Sequence, residues 1–185
     1  MRLRAGDTTV ATLYDEHGRV RGGDPDEAID LACRAFLADH LAEKDSLLLA
    51  RTQEQAREMS RRVRDELLHY GLVRRAGEAQ LRHQAIASEG DLIVARKNNR
   101  RIIAGTPGHW LTNRDVLRIQ ATTGRTVTVR RLAGRNTAGR PLWTAAFHLP
   151  KTYLLRHCDL AYATTAHAAQ GRTVDTSHVL VDGLG

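Results

Sequence analysis

The chain has 185 residues, with 28 Lys and Arg against 21 Asp and Glu, a formal net charge of +7 and an aromatic content of only 4%. No apolar run approaches the ~20 residues needed to span a bilayer, and the opening MRLRAGDTTV lacks the apolar core of a signal peptide, so the reading is a soluble protein without a membrane partner. Two cysteines far apart, Cys33 and Cys158, argue against a disulfide framework and against a structural zinc site, and reduced thiols point to the cytoplasm.

The positive charge suits a polyanionic partner. It is carried by 25 arginines and three lysines in a chain rich in alanine and glycine. A GC-rich genome produces the same bias, so charge alone weighs little. The length allows one substantial core, or a core with a small inserted unit.

Residues 1–23 alternate weakly and carry Gly6-Asp7, His17-Gly18 and Gly22-Gly23, which predicts an irregular hairpin or connector. Asp24 then offers an N-cap, Pro25 fits the first helical position, and Asp26 and Glu27 favour the positive end of the dipole, so a helix is expected over residues 25–40. Its apolar residues Ile29, Ala32, Cys33, Phe36 and Leu37 recur at helical spacing and face a sheet. The short run SLLLA at 46–50 reads as a buried parallel strand. Thr52 caps a second helix, residues 53–70, which Gly71 ends. Arg57, Arg61, Arg62 and Arg64 on that helix read as a solvated face paired with Glu58, Asp65 and Glu66.

From Gly90 the pattern changes to short strand-like runs at 91–96, 101–104, 116–120, 126–132 and 142–149, separated by turn residues. They predict a small antiparallel barrel set into an α/β frame. After Pro150 the α/β pattern resumes with a strand near 160–164, a helix near 166–170 and a last strand at 178–181. The expected division is therefore residues 1–83, an inserted unit over 84–150, and a return to the first unit over 151–185.

Chemistry concentrates in residues 162–175, YATTAHAAQGRTVD, where a strand delivers Thr164 and Thr165 to the start of a helix. Two hydroxyls and several free amides at a positive helix end suit a phosphate oxygen. His167 lies one turn in, where an imidazole can bond a phosphate or stack on a base. Gln170 supplies a donor and an acceptor, and Gly171 permits positive φ or close backbone approach. Singly, each residue is explained by capping and packing; their order between two apolar strands favours a site.

These residues resemble motif V of superfamily 1 helicases, in the form found in RecD-like enzymes and in conjugative relaxase helicases of the TrwC and TraI type. Residues 46–71 resemble a strand and helix of the second motor domain of those proteins, and Gly90-Asp91-Leu92-Ile93-Val94-Ala95-Arg96 with Asn98-Asn99 resembles the opening of their inserted 2B barrel. Leu3-Arg4-Ala5-Gly6-Asp7 and residues 14–23 are similar to the preceding connector. The resemblance implies a RecA-like parallel sheet flanked by helices, the second domain of a P-loop NTPase without a Walker A motif, carrying the inserted barrel. It implies that Thr164, Thr165 and His167 face single-stranded DNA, while Gln170, Gly171 and Arg172 face the nucleotide cleft.

None of the three lysines, Lys44, Lys97 and Lys151, stands in a Gly-Lys-Ser/Thr phosphate loop, and an acidic metal pair is missing. The expectation is no catalytic residues in isolation, with ATP and Mg²⁺ engaged only in a full-length enzyme whose relaxase and N-terminal RecA-like domains are the missing partners. The alternative is a non-catalytic module that binds DNA or docks a protein.

Other candidates are weaker. Arg96, Lys97, Arg100 and Arg101 form the densest positive patch and are expected to touch the DNA backbone, against a plain solvated hairpin. Trp110 and Trp143 could stack on bases or fill a barrel core. His157, Cys158 and Asp159 are consecutive on a strand approach and point to alternating sides, so no metal site is expected.

Overall fold

The structure, a computed structural model, describes Glu16 and residues 24–180; apart from Glu16, the expected connector over residues 1–23 lies outside the described residues. Helix α1, Pro25–Leu41, opens as its sequence predicts: the Asp24 carboxylate accepts from the Asp26 amide at 2.9 Å, and Pro25 occupies the first turn. Strand β1, Ser46–Ala50, follows. Helix α2, Gln53–His69, begins in a capping box in which Thr52 accepts from the Gln55 amide while the Gln55 side chain reaches back to the Thr52 amide. Both helices turn their apolar stripes inward, burying Cys33, Phe36 and Leu37 from α1 and Met59, Val63 and Leu67 from α2.

Beyond α2 the chain is mainly strand: β2 (Ala79–Gln80), a short 3-10 turn Arg82–Gln84, β3 (Ile86–Ala87), β4 (Leu92–Ala95), β5 (Asn99–Thr106), β6 (His109–Leu111), β7 (Val116–Thr123), β8 (Thr126–Arg135), β9 (Pro141–Trp143) and β10 (Phe147–Pro150). Helix α3 (Lys151–His157) leads to β11 (Cys158–Leu160), β12 (Ala163–Thr165), α4 (Ala166–Ala169) and β13 (Thr176–Val179).

The pairing overturns the expected RecA-like fold. Among the described residues, parallel pairing is confined to three strands, in the order β12-β1-β13. The larger sheet has six strands, in the order β10-β8-β7-β4-β11 with β9 on the flank of β8, and every pair in it is antiparallel. The physical reason lies in the connections. Each added parallel strand needs a crossover, normally a helix long enough to cover a sheet face. Of the four described α-helices, α3 and α4 have only seven and four residues; in the large sheet β7 passes to β8 and β8 to β9 through turns, and β4 reaches β7 by way of the β5–β6 pair, with no helix between them.

The inserted barrel is corrected with it. The hydrogen-bonded order runs open from β10 to β11, and β11, which lies beyond residue 150, pairs with β4. The single strand expected over 142–149 is two, β9 and β10. Between them Thr144 turns its hydroxyl to accept from the Arg131 amide at 3.1 Å and to donate to the Ala145 carbonyl. Gly105 of β5 packs against this break at positive φ; a Cβ there would meet the Ala145 oxygen at 2.2 Å.

One continuous apolar core joins the two sheets, from Leu48, Met59 and Val63 to Ile93, Leu117, Ile119, Val129 and Leu149. A buried polar knot sits at the junction. Asp91, wholly buried, accepts from Arg64 Nε of α2 at 2.8 Å, from the Ser88 amide at 2.8 Å and from the Tyr162 hydroxyl at 2.7 Å. Tyr162 also accepts from the Leu92 amide at 3.2 Å, so the residue that opens the motif is a structural clamp between the sheets. Arg64 therefore does not belong to the solvated arginine face, which is otherwise as expected for Arg61, paired with Glu58 and Asp65. Arg62 joins Glu58 to Asp26 and Asp30 across the two helices.

Candidate nucleic-acid interface

Strand β12 runs parallel to β1, pairing Ala163 with Leu48 and Thr165 with Ala50, and the Ser60 hydroxyl of α2 accepts from the Ala163 amide at 2.9 Å. This fixes where the motif turns. Thr165 is buried, and its hydroxyl is committed: it accepts from the Ala168 amide, capping α4, and from Gln53 Nε2, both at 3.4 Å. The expected outward-facing Thr165 hydroxyl is thus a cap. His167 and Gln170 are exposed, and Gly171 has φ +86°, which supplies the turn out of α4.

A groove of about 330 Å³ opens between this turn, the start of β1 and the face of the antiparallel sheet. Thr164, Ala168, Gln170 and Arg172 of the motif line it, together with Tyr162, Phe36, His40 and Trp143. Among the described residues, five cationic side chains reach it, Lys44, Arg96, Arg114, Arg135 and Arg172, against one carboxylate, Asp45. Their anchoring differs. Arg135 and Arg172 converge on the same Asp45 oxygen, at 3.2 and 3.3 Å. Lys44 is held by Asp39 at 2.8 Å, and Arg96 by Asp159 at 2.7 Å, an oxygen shared with Arg82. Arg114, held at φ +75° in the turn after β6, makes no side-chain ion pair among the described residues.

Electrostatics inside the groove follow from this excess. Burial, with the positive charges of Arg118 and Arg135, lowers the His40 pKa and keeps the imidazole neutral. Asp39 behind it shows the opposite balance. Burial opposes its ionisation, yet hydrogen bonds from Lys44, Thr176 and His178 outweigh burial and hold the carboxyl well below the usual range. Asp45 is left as the counter-ion of two arginines. An anion entering the groove meets guanidinium groups already aimed and only partly neutralised.

The sequence-predicted residues are redistributed. Arg96, Thr164, Gln170 and Arg172 meet in one groove, although the motif had separated a DNA side from a nucleotide side. His167 and Gly171 stand on the exposed turn beside it, and Thr165 faces the opposite way, toward α2. Lys97 and Arg100 are exposed on the turn and strand after β4, outside the groove lining. Lys44, Arg114 and Arg135 were missed: each lies on a different element, so no local pattern gathers them.

A larger cavity of about 690 Å³ lies along α2, against the 3-10 turn. Its charges are mostly satisfied in pairs, Arg61 with Glu58 and Asp65, Arg64 with Asp91, and Arg82 and Arg96 with Asp159, which leaves little to hold a ligand. No three His, Cys, Asp or Glu side chains among the described residues cluster to hold a metal ion. Asp159, beside His157 and Cys158, is taken by Arg82 and Arg96. No described helix is long and apolar enough to cross a membrane.

The residues present do not fit a nucleoside triphosphate with Mg²⁺ by themselves. Lys44 is engaged by Asp39, and Lys97 and Lys151 stand on the β4–β5 turn and at the start of α3, away from the parallel strands. No protein-family model matches the chain, and no curated protein matches it.

Proposed function

We propose that this chain grips single-stranded DNA through the Arg135–Arg172 groove and works as part of a longer helicase of the conjugative-relaxase kind. The observation that carries the reading is the charge of the groove, five cations against one carboxylate among the described residues, beside an aromatic wall that includes Trp143. Phosphates pair with guanidinium groups, and an indole offers a stacking face that every base can use. In this reading the chain turns over no ATP by itself; ATP and Mg²⁺ are bound with the motor and relaxase domains of the parent protein, in the cytoplasm. A second reading, a non-catalytic DNA-binding or docking module, is favoured by the small size of the parallel sheet, which among the described residues offers three strands to support a nucleotide cleft.

A salt-dependent titration with a labelled single-stranded oligonucleotide tests the groove. Neutralising two of its cations in the variant Arg135→Gln/Arg172→Gln should weaken binding and reduce the slope of log affinity against log salt by about 1.4, at ~0.7 per lost phosphate contact. An unchanged slope refutes the groove as the track. ATP turnover by the longer parent protein that disappears with Gln170→Ala supports the helicase reading; turnover unaffected by that change favours the docking module.

A further inference from the structure

The β5–β6 hairpin presents a feature that packing does not explain. Trp110 is 46% exposed and Ile103, its cross-strand partner, is 63% exposed, although both residue types gain most from burial. The Arg100 guanidinium lies 5.7 Å from the indole centroid, over one face of the ring. Lys97 and Arg101, close to Arg100 in the chain, are both exposed, and no acidic side chain among the described residues pairs with Lys97, Arg100 or Arg101. Asp115, just after the hairpin, is turned inward at 11% exposure, accepting from the Thr112 amide and facing His109.

Contiguous exposed apolar surface ringed by polar groups marks interaction sites more often than scattered single residues do. The uncompensated cations around this pair select a partner that is both polyanionic and equipped with flat apolar faces. A protein surface would have to bring its own acids; a single strand of nucleic acid carries phosphates and bases in the required alternation.

Continuity with the groove supports the choice. Arg96 lines the groove three residues before β5 begins, and Arg114 lines it three residues after β6 ends, so both strands of the hairpin rise from the groove's rim. We infer that the β5–β6 hairpin is a second station for the same single strand, on which an unpaired base stacks against Trp110 and Ile103 while Arg100, Arg101 and Lys97 hold the adjoining phosphates. The inference rests on the single-strand reading of the groove and extends its track.

The test uses the full chain and oligothymidylates of roughly 6 and 20 nucleotides, bracketing the 4–16 nucleotide footprint usual for small single-strand binding folds. The chain has two tryptophans, so Trp143→Phe leaves Trp110 as the reporter. Its fluorescence should be quenched when the longer oligonucleotide saturates the protein. In the wild-type background, Trp110→Ala should lower affinity for the longer oligonucleotide roughly 5- to 150-fold, the range set by one lost base stack, and Trp110→Phe should restore most of it. Because Trp110 lies on the surface, a circular dichroism spectrum identical to wild type confirms that the loss is local. If Trp110→Ala and wild type bind both lengths alike while Arg135→Gln/Arg172→Gln weakens both, the hairpin station is overturned and the groove reading stands. If no variant changes affinity, both fall.

Discussion

Replacing Asp91 with alanine should cost more than any surface change in this protein, and the size of the loss can be worked from the knot it anchors. The carboxylate is wholly buried and accepts from Arg64, Ser88 and Tyr162 at 2.7–2.8 Å. Without it, the Arg64 guanidinium, 10% exposed, keeps the Ser88 hydroxyl at 3.0 Å and has no counter-charge. Stranding one partner of a buried ion pair costs about 3–5 kcal/mol. The lost hydrogen bonds are part of that figure and are not added to it. Against a total stability of about 5–15 kcal/mol this is a large fraction, and at about 2–4 °C per kcal/mol the melting midpoint should fall by roughly 6–20 °C.

Thermal and urea unfolding followed by circular dichroism measure it. The double variant Arg64→Met/Asp91→Leu should recover part of the loss, since an apolar pair leaves no charge stranded, while the Ser88 amide and the Tyr162 hydroxyl still lack their acceptor. Tyr162→Phe removes one donor to Asp91 and one acceptor from the Leu92 amide and should cost about 1–3 kcal/mol. A midpoint for Asp91→Ala within about 2 °C of wild type would refute the reasoning, because an uncompensated Arg64 cannot be that cheap.

Two further expectations concern alkali and the motif. Burial pushes the Cys33 and Cys158 thiols up to about 12 from an ordinary value of 9.0, so the folded chain keeps protons that the unfolded chain releases. Their contribution is fully present below pH 9 and is lost as the pH rises from 9 toward 12. Melting midpoints measured from pH 8 upward should fall, and Cys158→Ala should flatten the fall; an equal slope in that variant counts against the assignment. Thr165→Ala should remove the cap of α4 and cost about 0.5–2 kcal/mol, toward the low end because its hydrogen bonds are long at 3.4 Å. Single-strand affinity should stay as in wild type, and a fall in affinity without a fall in stability would return the Thr165 hydroxyl to the binding surface.

Much of the local structure is legible in the sequence. Asp24-Pro25 and Thr52 through Gln55 place helix starts to the residue, because a cap is satisfied by side chains two or three positions away. Strand β1 and the turn at Thr164–Thr165 were placed by apolar runs and their neighbours in the same way. Helix α3 was not foreseen, since its seven residues carry no capping hydrogen bond and only Tyr153 and Leu154 turn inward. At the site, Arg96, Thr164, Gln170 and Arg172 stand out in the sequence as chemistry-bearing residues, but their sharing of one groove does not, and the Arg135 and Arg114 that complete it sit in an ordinary strand and turn.

The sequence by itself determined the two long helices and their starts, strand β1, several of the longer strands of the large sheet, and which short stretch collects polar chemistry, because those depend on interactions within a few residues of one another. Only the tertiary structure decided that the main sheet is antiparallel, that Tyr162 and Arg64 are tied to Asp91, and that cations from β1's edge, β8 and the motif turn face one groove. Strand direction and charge convergence depend on which distant segments lie side by side, over separations such as the 127 residues between Asp45 and Arg172, and hydrophobic periodicity within each segment is the same whichever neighbour it finds.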